Sequence, residues 1–93
     1  MYQVFPTKSF LKSVKRISCG VGGNKIIEDL NVCIGHLIER GSLPRKYVEH
    51  NLYGEYLGYK ECHIRGNCLL VYKVDHAVRG IYLVELGSHS YLF

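Results

Sequence analysis

Tyr59–Val74, YKECHIRGNCLLVYKV, decides how this chain folds. Cys62 and Ile64 alternate with Glu61, His63 and Arg65, the period of two expected of a strand with one buried face and one open face. Leu69-Leu70-Val71-Tyr72 is apolar on both faces, which suits a central strand. Arg65-Gly66-Asn67 between the two runs reads as a tight hairpin turn. The first strand is expected from Tyr56 to Arg65 and the second from Cys68 to Val74.

Working outward, the turn Asp75–Arg79 leads to a further strand at Gly80–Leu86. Upstream the period changes to 3.6. Ile26, Ile27, Leu30, Cys33, Ile34, Leu37 and Ile38 form one apolar stripe, predicting a helix from about Asn24 to Arg40 that stops at Gly41. A first helix is expected after Thr7, an N-cap residue, with Phe10, Leu11, Val14 and Ile17 inward and Lys8, Lys12, Lys15 and Arg16 on other faces. It should end near Cys19-Gly20, and Gly20-Val21-Gly22-Gly23 joins the two helices. Tyr2–Phe5, before Pro6, is extended. The order β-α-α-β-β-β predicts an α+β fold: an antiparallel-rich sheet with a helical hairpin packed on one face. The open face is the place to look for function.

Ninety-three residues, 47% hydrophobic, suit one globular domain over 1–93 rather than a disordered chain. A net charge of +4 favours an anionic partner such as nucleic acid. No apolar run approaches the roughly 20 residues that span a bilayer. The N-terminus lacks a signal-peptide pattern, so the expected compartment is the cytoplasm. Cys19, Cys33, Cys62 and Cys68 form no CxxC pair and read as core or half-buried thiols. Cys62 and His63 are neighbours on a strand and face opposite ways, so they make a poor metal pair, and no cofactor is expected.

Histidine has an unperturbed pKa close to neutrality. Glu61, His63 and Arg65 share the open face of one strand. His50 lies before that strand and His89 beyond the last one, and both can reach the same face. Lys60 stands beside the row. His36 and His76 read as structural or surface residues. Eight tyrosines supply apolar rings with polar tips, most of them for packing, some able to stack on unpaired bases.

Leu43–Phe93 resembles the YafQ-type branch of the RelE/ParE superfamily of bacterial type II toxins. The words are LPRKYVEHNLYGEYLGYKECHI, LLVYKV and LGSHSYLF. The first is similar to the family's Leu-Pro, Asp/Glu-His and Gly-Tyr-Arg-Asp-x-His pattern, the last to its Gly-[ST]-His-x-x-Leu-Phe ending. The resemblance implies a RelE-like fold and a metal-independent endoribonuclease that cuts mRNA in the ribosomal A site. It implies a cognate antitoxin as partner, with a monomer when free and a hetero-oligomer when neutralised. Carried over, the catalytic set is His50, Glu61, His63 and His89, with the terminal aromatic at Phe93. Glu61 stands where aspartate is usual, and Asn67 where the family often has an acid. Lys60, Arg65, Asn67, Tyr91 and Phe93 are then the expected substrate contacts, the cations for phosphate and the rings for a base. The alternatives are a ParE-like toxin that poisons DNA gyrase without a histidine set, or a catalytically weak relative that binds RNA or antitoxin.

Overall fold

In the computed structural model, which describes residues 1–93, the chain runs through strand β1 (Gln3–Pro6), helix α1 (Lys8–Ser18), helix α2 (Gly23–Arg40) and strands β2 (His50–Asn51), β3 (Lys60–Arg65), β4 (Cys68–Asp75) and β5 (Gly80–Ser88). It closes on a single turn of helix, α3 (His89–Leu92). The five strands form one sheet in the order β1-β5-β4-β3-β2. The β3–β4 hairpin and β5 are antiparallel, as alternation and turn chemistry require. β1 returns to pair parallel with β5, Gln3 opposite Gly80 and Pro6 opposite Leu83.

Burial follows the strand pattern. Cys62, Leu70, Tyr72, Ile81, Leu83 and Leu86 meet Cys33 and Leu37 of α2 and are almost wholly removed from solvent. α2 ends at Gly41, whose N–H donates to Leu37 O at 2.7 Å. α1 starts where Thr7 Oγ1 accepts from Phe10 N at 3.0 Å. Its inward stripe is Phe10, Ser13, Val14 and Ile17, at i, i+3, i+4 and i+7. Leu11, expected inward, stands beside that stripe and is 53% exposed.

β1 covers only the first half of the β5 edge. Beyond it the junction into α1 and α1 itself take over: Thr7 N donates to Leu83 O at 2.9 Å, Thr7 Oγ1 to Val84 O at 2.7 Å, and Arg16 Nη2 to Leu86 O at 3.5 Å. An edge that would otherwise present unpaired backbone groups is thereby closed.

Three further details differ from what the sequence predicts. β3 begins at Lys60 instead of Tyr56, because Gly58 takes φ +94, a value no strand residue adopts, after a 3-10 turn at Gly54–Tyr56. β2 and α3 are elements the sequence did not announce. The β3–β4 register shifts between His63 and Arg65, where Arg65 opposes Cys68. That bulge takes Arg65 off the row of Glu61 and His63 and turns it to α2, where its Nη1 lies 2.7 Å from Asp29 Oδ2.

Candidate active site

β2 is two residues long, and its pairing sets the site. His50 lies opposite Glu61 and Asn51 opposite Lys60. Cross-strand partners share a face, so the imidazole of His50 comes to the carboxylate of Glu61, Nδ1 to Oε1 3.5 Å. His63, two residues along β3, brings its ring centroid to 6.0 Å from that of His50. Glu61 is the buried member, with 14% of its side chain exposed against 52% for His50. Its second oxygen is buried and unpartnered within the protein.

The fourth member arrives from the other end of the sheet. α3 begins at His89, with Ser88 as its N-cap, Oγ accepting from Tyr91 N at 3.2 Å. A solvent-open depression of about 420 Å³ lies between β3 and α3, lined by Glu61, His63, Asn67, Ser88, His89 and Ser90 among others. No lysine or arginine lines it. Phe93 packs beside His89, ring centroids 5.1 Å apart, and 5.3 Å from Tyr56.

The remaining expected contacts lie elsewhere. Lys60 shares the side of Cys62, not that of Glu61, and its Nζ is 3.6 Å from Glu49 Oε1. Arg65 is held by Asp29. Tyr91 lies under the Arg16 guanidinium, 4.3 Å from its ring centroid. So the structure groups Glu61, His63, Asn67 and His89 around one depression, sets His50 against Glu61 and Phe93 against His89, and leaves Lys60, Arg65 and Tyr91 around the outside.

Two supporting residues were not singled out from sequence. Glu49, next to His50, receives the hydroxyl hydrogen of Tyr72 from the core and faces Lys60. Burial pushes the Tyr72 phenol well above its ordinary value, and the bond to Glu49 adds to this, so Tyr72 stays a donor. The signal was an acid beside the histidine in EHNL. Behind the site, Cys33 and Cys62 place their sulfurs 3.8 Å apart. That hydrogen bond, then burial, raises the Cys62 thiol, which stays neutral and unreactive. Nowhere do three or more His, Cys, Asp or Glu groups converge closely enough to hold a metal ion.

A family model described as "Bacterial toxin of type II toxin-antitoxin system, YafQ" matches residues 2–93. A YafQ protein of Haemophilus influenzae is 46% identical over 37 residues, 40% of this chain and 36% of that protein, so the match spans about a third of that relative's length. A metal-bound toxin from Helicobacter pylori has the same fold at TM-score 0.83 and 33% identity, covering 100% of both chains. YafQ in the E. coli DinJ-YafQ toxin-antitoxin complex superposes at TM-score 0.82 and 25% identity, over 99% of this chain and 97% of that one.

Proposed function

The chain belongs to the YafQ family of bacterial toxins of type II toxin–antitoxin systems, and we propose that it is a ribosome-dependent mRNA endonuclease using His50, Glu61, His63 and His89. One observation carries this reading: His63, His89 and the largely buried carboxylate of Glu61 line one open depression, and His50 from β2 stands against that carboxylate.

Cleaving RNA without a metal needs a base, an acid and a well-placed phosphate. The base takes the proton of the ribose 2′-OH, and the 2′-oxygen attacks phosphorus. The bond from phosphorus to the 5′-oxygen breaks, and the acid returns a proton to that oxygen. The products are a 2′,3′-cyclic phosphate and a 5′-hydroxyl, with no net gain or loss of protons. Acid–base catalysis of this type supplies about 10²–10⁴-fold. Glu61, fixed at the floor, orients His50 or serves as the base itself. His63 and His89 flank the space where the phosphate would lie. With no lysine or arginine lining the depression, stabilising charge comes from the protonated member of the histidine set. Lys60 and Arg65, each paired with a carboxylate outside the depression, are left out of this step. Phe93, beside His89, offers a face for a base.

The Helicobacter pylori relative is described as metal-bound. In this chain no three His, Cys, Asp or Glu groups converge on one point, and no step above uses a metal. The E. coli relative is described in complex with DinJ; we propose that an antitoxin likewise neutralises this chain. No helix is long and apolar enough to cross a membrane, in keeping with action on cytoplasmic ribosomes.

The deciding experiment is mRNA cleavage on programmed ribosomes, read by primer extension, for the wild type and His89→Ala. Cleavage by the wild type that largely vanishes in the variant is expected. Cleavage that survives moves the catalytic weight to His50, Glu61 and His63. No cleavage by a wild type that still poisons cells sinks the nuclease reading.

A further inference from the structure

α3 carries His89 yet is four residues long. A helix that short does not hold itself in water, so its placement depends on contacts outside it. Ser88 caps it, and Phe93 packs against His89 and Tyr56. Both of these act from beside the depression. The third contact does not. Tyr91, two residues after His89, lays its ring over Gly87, where an added Cβ would come within 2.8 Å of ring carbon Cδ2. The same ring carries the guanidinium of Arg16 over it, 4.3 Å from its centroid. Arg16 belongs to α1, and its Nη2 reaches Leu86 O at 3.5 Å, 70 positions away in the chain.

We propose that Arg16 is a positioning residue for His89: its guanidinium, tied to β5, clamps Tyr91 against Gly87 and so fixes α3 and the imidazole that α3 carries. The inference rests on the reading of His89 as a catalytic residue. The chemistry suits arginine in particular. A guanidinium is planar and stacks on an aromatic face while still donating to a carbonyl, whereas an ammonium is a compact, strongly hydrated point charge. Glycine at position 87 is what lets the ring approach the backbone. The neighbours Lys8, Lys12 and Lys15 share the exposed surface of α1. The simpler role for Arg16 is one more docking cation among them, and charge alone would then suffice.

Arg16→Lys separates the two, because it keeps the charge and loses the plane. The variants are Arg16→Lys, Arg16→Met, Tyr91→Leu, Tyr91→Phe and the Arg16→Lys/Tyr91→Leu pair. The readouts are kcat and KM for mRNA cleavage on programmed ribosomes, and the His89 ring signals of the free protein by NMR. Arg16→Lys, Arg16→Met and Tyr91→Leu should each lower kcat by about 10- to 100-fold, the scale on which small misplacements act, with KM within about twofold. The pair should be no worse than Tyr91→Leu alone, and Tyr91→Phe, which keeps the ring, should recover most of the loss. The His89 signals should move in Arg16→Lys and in Tyr91→Leu alike. Arg16→Lys at wild-type rate, with Arg16→Met raising KM, would make Arg16 a docking cation and overturn the clamp. Unmoved His89 signals in Arg16→Lys would overturn it as well. If the wild type cuts no mRNA, the nuclease reading fails by itself and the NMR comparison still decides the clamp.

Discussion

Glu61 is the least exposed of the four candidate catalytic residues. One oxygen faces His50 and the other is buried with no partner in the protein. An unpartnered buried acceptor costs free energy that a substrate hydroxyl or a water can relieve, so Glu61 is poised to receive a hydrogen. Glu61→Gln keeps the shape and removes the charge. It should lower kcat by about 10²-fold or more while leaving the fold intact, as checked by primer extension beside circular dichroism. Asn67 lines the same depression where the family often has an acid. Restoring it with Asn67→Asp should raise the cleavage rate, by up to about 10-fold, since a full acid–base partner is worth more; an unchanged rate would mean that position 67 takes no part. Residues on regular backbone were legible from the sequence: alternation alone put Glu61 and His63 on one face. Arg65 was not, because the bulge that turns it to Asp29 depends on the pairing with β4 and leaves no mark in its own strand.

The elements that matter most, β2 and α3, are among the shortest. β2 and α3 span two and four residues, too few to show a period, and each depends on tertiary contacts for its place. That is why the sequence announced the hairpin and α2 but neither of these. β2 is fastened from behind: Tyr72, buried in the central strand, passes a hydroxyl to Glu49 beside His50, and Lys60 closes on the same carboxylate. Tyr72→Phe keeps the core ring and removes the fastening. It should cost about 1–2 kcal/mol, the low side of a hydrogen bond to a charged group, because Glu49 is partly solvated. Urea denaturation with an unchanged slope would measure that loss. The same variant should lower kcat, since His50 loses its anchor. Full activity would show that β2 is held without Tyr72.

At the level of the whole molecule, charge and burial make separate predictions. The +4 balance gathers in part on α1, and a ribosome is a polyanion. Reversing Lys8, Lys12 and Lys15 to glutamate should weaken ribosome association and flatten its salt dependence, with melting temperature little changed. Sedimentation at two salt concentrations checks this, and equal binding by the variant would remove α1 from the docking surface. Burial speaks to pH. Cys62 and Tyr72 are held neutral in the fold, above their ordinary values of 9.0 and 10.0. Below about pH 7.5 folded and unfolded chains both keep these protons, so these two groups leave stability unchanged. Above pH 9 the unfolded chain sheds protons that the fold retains, so the melting temperature should fall as pH rises. A melting temperature constant to about pH 11 would mean that these groups are not held neutral. The layered α+β plan was legible because it rests on period. The parallel return of β1 to β5 was not, because four extended residues before a proline do not say which strand they join. That return has a consequence during synthesis. β1 is made first and its partner, Gly80–Leu83, almost last, so a nascent chain holds an orphan strand until nearly every described residue has emerged. The carboxylate and the first two histidines come out earlier, but the sheet that aligns them with the fourth partner cannot close. On this plan the candidate site is among the last parts of the molecule to take shape.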